Sequence, residues 1–128
     1  MKIALLGTGF GQAHAAIYAK REVEGRGVRP DTGQAGGIRQ EYGFATTTDL
    51  DGLYQDPSID LIDICLPTSL HAEHVLRGLA AGKHVLCELP LALTMADAQR
   101  VADAAAASDR QVFVDMLGRF QPVLPAAA

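Results

Sequence analysis

The sequence predicts an α/β fold, a doubly wound parallel sheet in a single domain, and three observations predict it. Short, apolar, β-rich runs alternate along the chain with longer helical patterns, which is how successive βαβ units read. A glycine turn, Gly7-Thr8-Gly9-Phe10-Gly11, follows the first apolar run and opens directly onto a helical pattern. The 128 residues are enough for one ordinary core without disulfide or metal staples.

In chain order, the first strand is expected at Lys2–Leu6. A helix follows from Phe10 to Lys20, with Ala13, Ala16, Ile17 and Ala19 expected on its inner face. The stretch from Glu22 to Gln40 fits less well, because Gly25, Gly27, Gly33, Gly36 and Gly37 disfavour both helix and strand. The second strand is expected at Glu24–Val28 and the second helix at Gln34–Tyr42. Asp49 is a good cap for a short helix carrying Leu50, Leu53 and Tyr54, which Asp56-Pro57 ends. Ile59–Leu66 reads as a strand stopped by Pro67-Thr68, and a helix from Leu70 to Ala80 is stopped by Gly82. His84–Cys87 is the next strand, Thr94 caps an Ala-rich helix over Met95–Ala107, and Gln111–Val114 is the last strand. Residues 1–120 are expected to form the domain and 121–128, ending Pro-Ala-Ala-Ala, a tail.

A content of 48% hydrophobic and 20% charged residues belongs to a globular protein and is too apolar for intrinsic disorder. A formal charge of −4 without basic clusters argues against nucleic acid as a partner. The apolar run Ile3-Ala4-Leu5-Leu6 is far too short for a secretion signal, and no other run approaches bilayer length. The expected location is cytoplasmic, with no membrane partner. There, Cys65 and Cys87 are expected as reduced packing residues at strand ends, not as a disulfide.

The glycine turn carries the most chemistry. A strand, a tight glycine turn and a helix start together aim backbone amides and the helix dipole at an anion. Glycine is needed where a Cβ would block the turn or the approach of a pyrophosphate. This is the arrangement of a Rossmann-type domain holding NAD or NADP. Gly7 and Gly9 match the first two glycines of the dinucleotide fingerprint, while the third falls at Gly11 and not at Gln12, one residue tighter. At the end of the second strand an acid would bond the ribose hydroxyls of NAD, whereas an arginine could meet the extra phosphate of NADP. Arg26 and Arg29 stand there, with Asp31 just beyond, and Arg29 tilts the expectation toward NADP.

Several motifs then converge. Gly9-Phe10-Gly11-Gln12-Ala13-His14, Glu41-Tyr42-Gly43, Asp56-Pro57-Ser58-Ile59-Asp60, Pro67-Thr68-Ser69-Leu70-His71, Ala81-Gly82-Lys83-His84-Val85-Leu86-Cys87-Glu88 and Arg119-Phe120-Gln121-Pro122 occur in this order. In these the sequence resembles the N-terminal domain of the Gfo/Idh/MocA oxidoreductases, and Ala81–Glu88 is the most specific of the matches. The resemblance implies that Leu66, Pro67, Thr68 and His71 line the cofactor, with Glu88 at the nicotinamide side. It also implies a lysine after that glutamate. Here the position is Leu89, in Glu88-Leu89-Pro90, which can neither donate a hydrogen bond nor carry charge, so no catalytic residue is assigned. The resemblance further implies a second, α+β domain beyond the Arg-Phe-x-Pro segment, which would supply the substrate pocket and is absent from this sequence.

Other constellations are weaker. His71 and His74 share a helix face, but no third ligand stands at suitable spacing; no metal is expected, and His74 is expected to be partly exposed. His14 reads as a helix residue packed near the glycine turn. No nucleophile elbow occurs, and a neighbouring carboxylate should raise the Cys87 thiol pKa. Two functional readings remain. The first is the cofactor half of an NAD(P)-dependent oxidoreductase moving hydride to or from a sugar or cyclitol alcohol, its small polyol or sugar substrate bound only with a second domain. The alternative is an NAD(P)-binding or regulatory module without chemistry. A domain for another nucleotide is disfavoured by Ala81–Glu88, and homo-oligomerisation is left open.

Overall fold

The structure is a computed structural model that describes residues 1–7, 9–21, 24–28 and 41–120, with the backbone alone for residues 24–28 and 120. Its elements are β1 (Lys2–Leu6), α1 (Gly11–Lys20), β2 (Glu24–Val28), β3 (Ala45–Thr47), α2 (Leu50–Gln55), β4 (Leu61–Ile64), α3 (His71–Ala80), β5 (His84–Cys87), α4 (Met95–Ala106) and β6 (Val112–Val114). Short 3-10 turns at Thr68–Leu70 and Leu117–Phe120 follow β4 and β6.

The six strands form one parallel sheet in the order β3-β2-β1-β4-β5-β6, the doubly wound arrangement expected from the sequence. Register follows from the apolar runs. Ile3 to Leu6 of β1 are buried on both faces and pair with Leu61 to Ile64 of β4 on one side and Gly25 to Val28 of β2 on the other. One face carries the main core, where Ala4, Leu6, Ile62, Ile64, Val85 and Cys87 meet Leu53, Val75, Leu79 and Val101 from α2, α3 and α4. Each fully buried aliphatic side chain there is worth about 1.5–3 kcal/mol relative to exposure. The other face, over Leu5, is covered by α1 through Ala15, together with Phe44 and, partly buried, Tyr18.

The caps are where the sequence placed them. The Asp49 carboxylate accepts from Gly52 N at 2.9 Å to start α2, and Thr94 Oγ1 accepts from Asp97 N at 3.1 Å to start α4. The second strand occupies Glu24–Val28 despite its two glycines, because β1 and β3 both pair with it. β3 was not anticipated: three residues are too few to show an alternation. Of the helix expected at Gln34–Tyr42, residues 34–40 lie outside the described residues, as does the expected tail at 121–128. Among the described residues no helix is long and apolar enough to cross a membrane. Both cysteines are free, Cys87 buried and Cys65 half-buried.

The inner face of α1 differs from expectation. Gly11, His14 and Ala15 are buried and Tyr18 is half-buried, whereas Ala13 and Ile17 are exposed and Ala16 and Ala19 only partly covered. Helix propensity and apolarity favoured the alanines. Close approach decided otherwise: a Cβ on Gly11 would stand 3.1 Å from Leu5 Cδ1 and 3.3 Å from Cys65 Cβ, so this glycine must face the sheet. Helical spacing then turns His14, Ala15 and Tyr18 inward with it.

Candidate cofactor site

From the adjacent strands β1 and β4 the chain winds outward in opposite directions. A crevice therefore opens at their carboxyl ends, where neither crossover helix can close it. Four segments converge on this edge: the glycine turn after β1, residues 65–68 after β4, Glu88-Leu89-Pro90 after β5 and Asp115 after β6.

The glycines divide the work. Gly7 has φ +91°, and a Cβ there would lie 2.5 Å from the Cys65 carbonyl oxygen, so only glycine lets the turn pass the end of β4. Gly9 is the opposite case, since a Cβ built on it meets nothing within 4 Å. It borders open space at the start of α1, where the first amides of a helix lack intrahelical acceptors and the dipole favours an anion. Gly11 supplies the close helix–strand contact that the standard fingerprint assigns to its third glycine, one residue earlier. Phe10 stands beside this space, 56% exposed, with its ring edge-on to His14. Thr8 and Arg29 lie outside the described residues, and for Arg26 the backbone alone is described.

Across the crevice, Leu66 and Thr68 are half-buried and Pro67 exposed. His71 is 1% exposed and is fixed at both nitrogens: Nδ1 lies 2.8 Å from Pro90 O and Nε2 2.7 Å from Leu66 O. It presents no free polar atom to the crevice and instead sets the spacing between the loops after β4 and β5. Glu88 is likewise engaged, its Oε1 3.1 Å from His14 Nε2 and its Oε2 accepting from Leu89 N at 3.1 Å. Leu89, 48% exposed, precedes a cis proline.

His74 is buried, not partly exposed as expected. Its ring stacks on Tyr54 with Nδ1 2.8 Å from the tyrosine hydroxyl, and burial lowers its pKa. Its partnership and that of His71 point to different places, so the two do not share a ligand position. Lys83, within the most specific motif, is also structural: it is buried, and its Nζ donates to the carbonyls of Asp56 at 2.7 Å and Ile59 at 2.9 Å.

The residues missed by sequence reasoning lie beneath the crevice, around His14. Asp63, in the middle of β4 and fully buried, has Oδ2 2.8 Å from His14 Nδ1 and accepts from the Tyr18 hydroxyl at 2.7 Å. On the other side of the ring, Nε2 faces Glu88 and, at 3.4 Å, Asp115 Oδ2. The His14 pKa is raised, chiefly by the Asp63 hydrogen bond, with burial opposing and the charges of Asp63, Glu88 and Asp115 adding. Cys65 Sγ lies 3.5 Å from His14 Nδ1, and burial followed by the Asp63 charge pushes that thiol well above its ordinary range. A signal was available in the sequence: an aspartate at the centre of Leu61-Ile62-Asp63-Ile64, in a strand covered on both faces, requires a buried partner.

A doubly wound parallel sheet with a glycine turn at its switch point defines a dinucleotide-binding α/β domain. More particularly, the chain belongs to the Gfo/Idh/MocA oxidoreductase family, whose NAD-binding Rossmann fold matches residues 1–116. It is 33% identical over 116 residues to the levoglucosan dehydrogenase of Pseudarthrobacter phenanthrenivorans, covering 81% of this chain and 30% of that protein. It is 30% identical over 130 residues to the myo-inositol 2-dehydrogenase of Thermotoga maritima, covering 94% of this chain and 37% of that protein. A levoglucosan dehydrogenase solved with NADH and levoglucosan superposes with a TM-score of 0.79 at 29% identity, over 89% of this chain and 34% of that one. The chain thus spans well under half the length of each of these relatives.

Proposed function

We propose that this chain binds and orients NAD(P) for an oxidoreductase that moves hydride between the nicotinamide and an alcohol carbon of a sugar or cyclitol. The observation that carries the reading is the contrast at the glycine turn: Gly7 is required by the fold, whereas Gly9 opens onto space at a helix start. A Cβ at Gly9 would occupy that space, which is what a pyrophosphate cradle needs to avoid. The amides of Thr8, Gly9, Phe10 and Gly11 would hold the pyrophosphate. Leu66, Pro67 and Thr68 would line the nicotinamide side, with His71 and Glu88 shaping the loops around it. NAD(P) supplies the hydride chemistry, and the protein supplies binding and orientation.

Arg29 is the proposed partner of the NADP ribose phosphate. The substrate side is proposed to come from a second domain, consistent with the greater length of relatives that act on levoglucosan and myo-inositol. Reduced Cys65 and Cys87 suit a cytoplasmic location.

A second reading, a binding module without chemistry, is favoured by one observation: Leu89 stands exposed at the strand end where the resemblance implies a lysine. Titration with NADH and NADPH, followed by cofactor fluorescence, tests the shared premise. Saturable binding is expected, with an NADPH preference that disappears in Arg29→Asp; absence of binding by both would refute it. Tight binding by the full gene product with no oxidation of any polyol would select the module.

A further inference from the structure

Of the cluster around His14 the readings above use Glu88 alone, and the cluster joins α1 to residues in or just after β4, β5 and β6. A neutral imidazole has one N–H and one lone pair. Here Nδ1 meets the Asp63 carboxylate, and Nε2 meets those of Glu88 and Asp115. With either nitrogen unprotonated, a ring lone pair would face a carboxylate oxygen; only the doubly protonated ring donates in both directions. Among the described residues, the remaining groups facing it are Tyr18 from α1 and Cys65 from the end of β4, with Phe10 packed edge-on. Both the hydroxyl and the thiol point their hydrogens toward Asp63, and neither supplies a second cation.

His14 sits one helical turn after Gly11, whose contact with Leu5 and Cys65 fixes the start of α1 on the sheet. We propose that His14 is a positioning residue for the cofactor crevice, its ring locking the first turn of α1 to the ends of β4, β5 and β6 through Asp63, Glu88 and Asp115. This rests on the reading of the crevice as the NAD(P) site. Among the described residues of the glycine turn the ring packs edge-on against the Phe10 side chain, so its action on the amides that would hold phosphate is indirect.

The consequence is a pH dependence of cofactor binding. The protonated ring holds the loop after β5 against α1; once it loses its proton, one of the two sets of contacts becomes repulsive and the crevice loosens. Affinity is therefore held near neutrality and falls as pH rises through the raised His14 pKa.

The test is NADH affinity, read by cofactor fluorescence from about pH 6 to about pH 9, beside the His14 ring titration followed by NMR. NADH is the probe because NADPH carries a phosphate whose own ionisation, near pH 6, would intrude. In the unmodified protein the binding midpoint is expected to coincide with the ring titration. His14→Gln, which keeps polarity but not charge, is expected to bind about tenfold more weakly at neutral pH and without that midpoint. Asp115→Asn, at the accessible rim of the cluster, is expected to lower both midpoints together, a coupled shift that a purely structural role would not produce. It also keeps the test open should His14→Gln not fold. If NADH binds the unmodified protein and either variant keeps its affinity and pH profile, the positioning role is overturned while the binding site stands. If the unmodified protein binds no NADH at any pH, the reading of the crevice itself fails.

Discussion

Replacing Gly7 and Gly9 separately by alanine distinguishes what the fold needs from what a ligand needs. At Gly7, φ is +91° and the new methyl carbon would lie 2.5 Å from the Cys65 carbonyl oxygen and 2.8 Å from its carbon. An L-residue in the left-handed region costs about 1–2 kcal/mol, and forcing extra volume into packed structure about 1–3 kcal/mol more. The obstacle is backbone at the buried end of β4, which cannot rotate away as a side chain would. Gly7→Ala is thus expected to lose about 2–5 kcal/mol, a large share of the total for a domain of this size. At Gly9 the same methyl meets nothing within 4 Å and φ is not left-handed. Gly9→Ala should change stability by less than about 1 kcal/mol, and could raise it by restricting the unfolded chain. Its effect belongs to binding, with NADH and NADPH weakened at least about tenfold because the methyl enters the pyrophosphate space. Urea denaturation followed by far-ultraviolet circular dichroism, with an unchanged slope, measures the first quantity, and cofactor fluorescence the second. A loss below about 1 kcal/mol in Gly7→Ala, or undiminished cofactor affinity in Gly9→Ala, would refute the division of roles.

Stability should depend on pH through two histidines of opposite sign. The folded-state pKa of His14 is raised, so its stabilisation is full below the ordinary value of 6.5 and lost as pH climbs through the folded value. Burial lowers that of His74, so its contribution is present above 6.5 and lost as pH falls through the folded value. Urea midpoints across pH should show the alkaline decline flattened in His14→Gln and the acid decline flattened in His74→Gln. Lys83→Met removes the donor to two backbone carbonyls and should cost about 1–3 kcal/mol in the same assay, with little effect on cofactor affinity. Burial pushes the Cys87 thiol up to about 12 and Cys65 higher still, so both should react slowly with a thiol reagent at about pH 8 in the folded protein and fast in urea.

Much of the fold was legible because its signals are local. The apolar runs at Lys2–Leu6, Ile59–Leu66 and His84–Cys87, the caps Asp49 and Thr94, and the glycine turn each act within a few residues of themselves. Periodicity failed on α1. Its alanines satisfy any helix face, and the residue that selected the face, Gly11, did so through a distance to Leu5 and Cys65 that no spacing encodes. The site was legible in outline only. The glycine turn could be located from strand, turn and helix order, but Glu88 and His71 could be assigned a place along the chain and not a direction. The structure turns Glu88 back toward His14 and fixes both nitrogens of His71 on loop carbonyls.

The sequence by itself determined the alternation of strands and helices and the turn at Gly7–Gly11, since these are properties of neighbouring residues. Only the tertiary structure decided that Asp63 within β4, Glu88 just after β5 and Asp115 just after β6 meet around one histidine of α1. The register of a parallel sheet brings those strand ends together, and burial then compels such charged groups to find one another.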